Sequence, residues 1–220
     1  MIQVENLVKT YGKGINATHA LRGISLRIDS GEFVAVMGRS GSGKSTLLHM
    51  LGLLDYPTSG SVSIDNQNVL KLSSESQADF RLSQLGYVFQ EYSLISELTI
   101  YENVYVPAVA LRRDKAYKQR AKDILEIVGL GNRLKHYPHE VSGGEQQRAA
   151  IARALINQPK ILFADEPTAS LDTASARVVL ELFKKLNKDQ KQTIVMVTHE
   201  PEDKNFVDRV IWLKDGLIML

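Results

Sequence analysis

Five consecutive apolar residues, Phe33-Val34-Ala35-Val36-Met37, run directly into Gly38-Arg39-Ser40-Gly41-Ser42-Gly43-Lys44-Ser45. A strand has two faces, and a run that is apolar at every position needs both of them covered. The stretch that follows, Ser45 to Leu53, has helical spacing. A buried strand, a glycine-rich turn and a helix in that order point to an α/β unit around a parallel sheet. Two more such runs, Ile161-Leu162-Phe163-Ala164 and Ile194-Val195-Met196-Val197, supply companion strands, and Glu145 to Ile156 and Ala174 to Leu186 supply further helices.

The first part of the chain reads differently. Ile2 to Lys9, His19 to Ile28 and Ser61 to Asn66 alternate polar and apolar residues around turns expected at Asp29-Ser30-Gly31 and Ser59-Gly60, the pattern of an antiparallel sheet with one wetter face. From about Gln90 to Pro159 the strand signal disappears and helical patterns dominate, with breaks expected at Pro107, at Gly129-Leu130-Gly131 and at Pro138. The expectation is one domain over residues 1–220, with a core of 1–89 and 159–220 and an inserted helical lobe of about 90–158.

Composition removes several classes of function. With no cysteine there are no disulfides, thiolate metal sites or cysteine nucleophiles, which suits a reducing compartment. No apolar stretch approaches the ~20 residues that span a bilayer, and the start MIQVENLVKTYGKG lacks the pattern of a secretory signal, so a membrane role must come through a partner. A formal net charge of +2 gives no reason to expect nucleic acid. The six basic residues around Asp114 between Arg112 and Lys122 read as a solvated helix face.

The segment Gly38 to Ser45 fits G-x-x-x-x-G-K-[ST] in the strand-to-helix setting that this pattern requires. Glycines at 38, 41 and 43, with Ser40 and Ser42 between them, let backbone N–H groups turn inward around phosphate oxygens, and the helix aims its positive end at the same anion. Lys44 then bridges the β- and γ-phosphates, Ser45 offers a hydroxyl to Mg²⁺, and Thr46 reaches an α-phosphate oxygen. The second marker is the run ending in Asp165-Glu166. Strand alternation is expected to turn the two carboxylates apart, Asp165 toward the Mg²⁺ shell and Glu166 toward an attacking water.

Between these motifs stands Val141-Ser142-Gly143-Gly144-Glu145-Gln146-Gln147-Arg148, leading into an alanine-rich helix. A serine and two glycines at a helix start form a second anion site. This segment resembles the signature of the ABC ATPase superfamily, L-S-G-G-Q or L-S-G-G-E, with Val141 in place of leucine. The resemblance extends over nearly the whole chain. It implies a P-loop NTPase core with a mixed sheet, an N-terminal antiparallel β subdomain and an inserted α-helical subdomain. It also implies two copies packed head to tail around ATP, with Ser142, Gly143 and Gly144 of one closing over the γ-phosphate held by the other.

Four more residues take roles from the resemblance. Tyr11 matches the aromatic that stacks on adenine, although a lone tyrosine there also suits ordinary packing. Gln90 matches the glutamine that senses Mg²⁺ and the γ-phosphate. Asp172, in Ala169-Ser170-Leu171-Asp172, matches the loop that crosses between copies, and it also suits an N-cap for the helix after it. His199 matches the histidine that contacts the γ-phosphate, while the other four histidines read as surface or packing residues.

Tyr11-Gly12-Lys13-Gly14 and Gly52-Leu53-Leu54-Asp55-Tyr56-Pro57-Thr58-Ser59-Gly60 look like the group serving lipoprotein release, macrolide export and cell division. The expectation is a bare ATP-hydrolysing motor, cytoplasmic and held on the inner face of the membrane by a permease. The apolar Tyr92, Leu94, Ile95 and Leu98 are expected to form the exposed loop that meets this partner. A regulatory ATP switch controlling a membrane-bound cell-wall hydrolase is the alternative, and a soluble DNA-associated ATPase a third reading.

Overall fold

The three all-apolar runs are strands of one sheet, and each sends alternate residues into two separate cores. In the computed structural model, which describes residues 1–112 and 115–219, Phe33, Ala35 and Met37 pack with helical residues on one side while Val34 and Val36 pack on the other. Leu162, Ala164, Ile194 and Met196 join the first core, and Ile161, Phe163, Val195 and Val197 the second. That division is why these segments could not afford a polar alternation. Arg113 and Asp114 of the basic stretch lie outside the described residues.

In chain order the strands are β1 (Ile2–Tyr11), β2 (Thr18–Ile28), β3 (Phe33–Met37), β4 (Ser59–Ile64), β5 (Gln67–Asn68), β6 (Leu85–Val88), β7 (Ile161–Asp165), β8 (Thr193–Thr198), β9 (Arg209–Lys214) and β10 (Leu217–Met219). The helices are α1 (Lys44–Leu51), α2 (Ser74–Gln84), α3 (Ile100–Ala110), α4 (Lys115–Ile127), α5 (Gly143–Leu155) and α6 (Thr173–Gln190). An antiparallel sheet in the order β2-β1-β4-β5 covers one face of a six-stranded sheet in the order β10-β9-β3-β8-β7-β6. The larger sheet is parallel from β9 to β6, with β10 antiparallel at its edge. On its other face lie α3, α4, α5 and α6, where Phe183 meets Phe33 edge to face at 6.2 Å. Among the described residues no strand occurs between Val88 and Ile161.

Three local expectations change. Ser59-Gly60 opens β4 instead of forming a turn, because the glycine fits against a bulge in β1: an added Cβ would lie 2.5 Å from the Asn6 carbonyl oxygen. Pro107 does not break the chain but lies inside α3. The proline removes one helical hydrogen bond only three residues before the helix ends. A Thr99–Glu102 capping box and the burial of Ile100, Val104 and Ala108 outweigh that loss. α1 ends at Leu51, two residues earlier than its spacing suggested, as Leu53 turns to φ 57°.

Candidate nucleotide site

Parallel strands end together, so their register decides which loops share the carboxyl edge of the sheet. Met37 pairs with Thr198, Asp165 with Val197 and Val88 with Ala164. One residue past β3 and β8 come Gly38 and His199. Two past the Val88–Ala164 pair come Gln90 and Glu166. Ligands of open α/β sheets bind along this edge.

The loop from Gly38 to Gly43 needs glycine at its ends. An added Cβ at Gly43, where φ is 101°, would lie 2.4 Å from the Ala20 carbonyl oxygen, and one at Gly38 would lie 2.1 Å from that of Leu213. Lys44 is buried, and its ammonium donates to the carbonyls of Gly38 at 3.0 Å and Arg39 at 3.2 Å. Ser40, Gly41 and Ser42 line a cleft of about 1140 Å³ with Lys44, Glu166 and His199, and Trp212 and Met219 also line it. The Ser42 hydroxyl is buried without a hydrogen-bond partner among the described residues.

Ser45 donates to the Asp165 carboxylate at 2.9 Å, so the hydroxyl and carboxylate expected to share a cation are already adjacent. Burial pushes the Asp165 carboxyl up, against the hydrogen bond from Ser45, and the neighbouring Glu166 adds to the rise. A divalent cation would reverse that balance. These two groups are hard oxygen donors that suit Mg²⁺, and among the described residues no cluster of three metal-binding side chains exists to hold an ion alone. Mg²⁺ bound through one carboxylate, one hydroxyl and phosphate oxygens fits that donor set.

Glu166 diverges from Asp165 as expected, but for another reason. It stands past the end of β7 with φ 45°, its N–H bonded to the Val197 carbonyl at 2.9 Å, so a left-handed backbone and not strand alternation turns it away. Its carboxylate lies 3.2 Å from His199 Nδ1, and the other ring nitrogen lies 3.3 Å from Glu200. Gln90 is exposed at its place beyond β6. Tyr11 is 41 % exposed at the end of β1, its hydroxyl donating to Asp55 at 2.9 Å and lying beside Thr46. Lys9 sits 4.6 Å over the same ring, and burial together with Asp55 pushes the phenol up.

Two side chains that sequence reasoning left out belong here. His49 is 3.6 Å from the second Asp165 oxygen, so it is not mere surface or packing. Its spacing of four from Ser45 within one helix was the available signal. Asp203 is buried, accepts from Thr198 at 2.6 Å and contacts Thr168, fastening the loop that carries His199 to the segment after Glu166.

Ser142, Gly143, Gly144 and Asp172 form a second group, and none of them lines the cleft. Ser142 caps α5, accepting from the Glu145 N–H at 3.3 Å while Glu145 accepts from the Ser142 N–H at 2.9 Å. Asp172 caps α6 by accepting from the N–H and hydroxyl of Ser175, and the hydroxyl bond keeps its carboxyl below the ordinary value. Both glycines lie close to side chains: a Cβ on Gly144 would lie 2.8 Å from the Ser175 hydroxyl, and one on Gly143 2.8 Å from that of Tyr92. The apolar loop after Gln90 is therefore not all surface. Tyr92 packs on the start of α5 and Leu94 against the helical core, Leu98 is half-buried, and Ile95 is exposed.

The family model described as "ABC transporter" matches residues 21–169. An uncharacterised ABC transporter ATP-binding protein of Methanocaldococcus jannaschii is 51% identical over 220 residues, which are 100% of this chain and 98% of that protein. The macrolide export ATP-binding/permease protein MacB of Chlorobaculum tepidum is 45% identical over 219 residues, and this chain spans 34% of its length. Among solved structures, the dimeric post-hydrolysis state of the ATP-binding cassette MJ0796 bound to ADP and Pi superposes with a TM-score of 0.92 at 41% identity, covering 100% of this chain and 97% of that one. The chain belongs to the ABC transporter family and is one of its ATP-hydrolysing, ATP-binding cassettes.

Proposed function

We propose that two copies of this chain close head to tail around two ATP molecules and that this closure drives a membrane permease. The observation that carries the reading is the division of the site. The phosphate loop, Glu166 and His199 line one cleft, and Asp165 is held to the helix after that loop by Ser45, while Ser142, Gly143 and Gly144 start another helix outside the cleft. A helix start that is exposed and lies apart from the chain's own cleft is placed to meet the γ-phosphate of a second copy. The dimeric state of the structural relative agrees with this.

In this reading Lys44 leaves the carbonyls of Gly38 and Arg39 for the β- and γ-phosphates, with Thr46 at the α-phosphate and Tyr11 beneath adenine. Ser45, Asp165 and Gln90 would hold Mg²⁺, which when bound would supply positive charge against the phosphates. Glu166 takes a proton from the attacking water as its oxygen bonds to the γ-phosphorus and the bond to the β–γ bridging oxygen breaks, releasing ADP, and His199, 3.2 Å from Glu166, contacts the γ-phosphate. Asp172 supports the neighbouring site.

A groove of about 490 Å³ lined by Leu54, Leu82, Tyr87, Phe89, Pro107 and Arg153 supports a permease partner, since its lining includes Phe89 and Ser93 on either side of Gln90 in the chain. Relatives named as joint ATP-binding and permease proteins support it too. Among the described residues no helix is long and apolar enough to cross a membrane. The permease would therefore hold the chain on the cytoplasmic face, without nucleic acid as a partner.

Mixing two dead variants tests the shared site. Lys44→Ala damages a chain's own site and Ser142→Arg the neighbour's, so a mixed dimer has one site with both lesions and one with none. ATPase activity should return on mixing to a substantial fraction of the single-site rate. Zero activity in a mixture shown by crosslinking to contain mixed dimers would count against the arrangement.

A further inference from the structure

Arg133 lies in the loop before α5 and enters none of the roles above. Its guanidinium donates to Glu145 Oε1 at 2.9 Å, while Glu145 Oε2 accepts the N–H of Ser142 at 2.9 Å. The loop is itself fixed, because the first N–H groups of α3 bond back to it, Ile100 to the His136 carbonyl and Tyr101 to that of Leu134. Arg133, Glu145 and Ser142 thus form a chain of charge-assisted contacts ending at the proposed γ-phosphate contact. Helix starts favour anions, yet Glu145 places a full negative charge in the first turn of α5, where it repels an incoming phosphate.

We propose that Arg133 is a positioning residue for the neighbouring copy's γ-phosphate: it cancels the Glu145 charge while leaving Glu145 free to cap Ser142. The cap matters because Ser142 Oγ accepts the Glu145 N–H, which leaves the hydroxyl proton free to be donated to an anion. A neutral residue without an acceptor in place of Glu145 would lessen the repulsion but leave the Ser142 N–H without its partner. Glutamate with arginine behind it satisfies both needs. The backbone hydrogen bond at Ser142, then Arg133, hold the Glu145 carboxyl down to about 2, which keeps it an acceptor at every working pH.

The inference rests on the head-to-tail reading, and the test keeps the two separate. In a Glu166→Gln background, which stops hydrolysis, ATP-dependent dimerisation is measured by sedimentation, and binding of a fluorescent ATP analogue to the dilute monomer reports each chain's own site. Arg133→Ala should weaken the ATP-driven dimer about tenfold and leave monomer binding unchanged. Arg133→Lys should restore most of the loss. Arg133→Ala combined with Glu145→Gln should also recover to within about threefold of the parent, because the amide oxygen still caps Ser142 and no charge is left exposed.

A parent that stays monomeric in ATP overturns the head-to-tail reading before Arg133 is touched. A dimerising parent whose Arg133→Ala variant dimerises equally well overturns the inference alone. So does a double variant as weak as Arg133→Ala, since that marks a contact needed for structure and not for charge. If Arg133→Ala fails to bind the analogue through misfolding, Arg133→Gln keeps the length of the side chain without its charge and makes the same comparison.

Discussion

Around the phosphate loop the side chains already hold one another: Lys44 on two loop carbonyls, Ser45 on Asp165, Glu166 against His199, with Asp203 buried beneath. At the starts of α5 and α6 the polar groups instead cap their own helices, and the Ser142 and Asp172 side chains lie exposed at the surface. The first region has a cleft and the second has a surface. The difference teaches how labour is divided within one chain. On the proposed head-to-tail reading, binding a nucleotide draws on groups preorganised in three dimensions, whereas receiving a neighbour's phosphate would draw on a rigid, exposed helix end. Changes in the two regions should therefore separate binding from turnover.

The largest separation should come from Glu166→Gln. A general base contributes about 10² to 10⁴ in rate, or roughly 3 to 5 kcal/mol of barrier. The amide can position water but cannot take its proton, and two unit charges ~4 Å apart repel by about 4 kcal/mol at an effective dielectric of 20. Replacing the carboxylate removes that repulsion at both sites of a dimer. Turnover should fall at least a hundredfold, while size-exclusion chromatography shows a dimer in ATP and a monomer in ADP. Hydrolysis at a near-normal rate would remove Glu166 from the role of base.

A smaller effect, confined to the first region, should follow Asp203→Ala. Its carboxyl is buried and pushed up by that burial, and it accepts from Thr198, which is itself buried. Alanine leaves the Thr198 and Thr168 hydroxyls without this partner, at a cost of about 1–3 kcal/mol in urea unfolding. Because the loop bearing His199 is fastened here, turnover should also fall while binding of the fluorescent ATP analogue persists. Unchanged stability would show that the carboxyl does not hold this loop.

The sequence carried the first region better than its reasons. Runs such as Phe33 to Met37 were legible because burial on both faces leaves no room for a polar residue, and the phosphate loop because Gly38 and Gly43 at its ends are sterically required. The turn at Glu166 was not, since nothing in the local sequence marks this glutamate for a left-handed backbone at the end of β7. His49 and Asp203 escaped because each partner stands on another element or across a loop. Pro107 misled because local propensity marked a break that packing of α3 overrides. Helix α2 gave little apolar periodicity, and its Ser73 cap was one serine among several. In the second region the motif fixed Ser142 to Gly144, but Arg133 lies 12 residues from Glu145 and shows no pattern linking the two.

The smallest effect should sharpen the second region, through pH. Glu145 has an ordinary value of 4.5 and is held at about 2, first by the backbone hydrogen bond at Ser142 and then by Arg133. The folded state thus favours the ionised form, so its contribution to stability is fully present above pH 4.5 and is lost as pH falls through about 2. The unscreened shift would correspond to about 3 kcal/mol at roughly 1.4 kcal/mol per unit, but the pair is partly exposed, and solvent leaves about 1 kcal/mol. For a chain of this size that is about 2–4 °C in melting temperature. Many carboxylates titrate in the same window, so the informative quantity is a difference between proteins. Between pH 5 and pH 3 the wild type should lose more stability than Arg133→Ala with Glu145→Gln, which has nothing to protonate at this position. Parallel melting curves across that range would mean that the cap holds without its charge, and the contrast between the two regions would then rest on geometry alone.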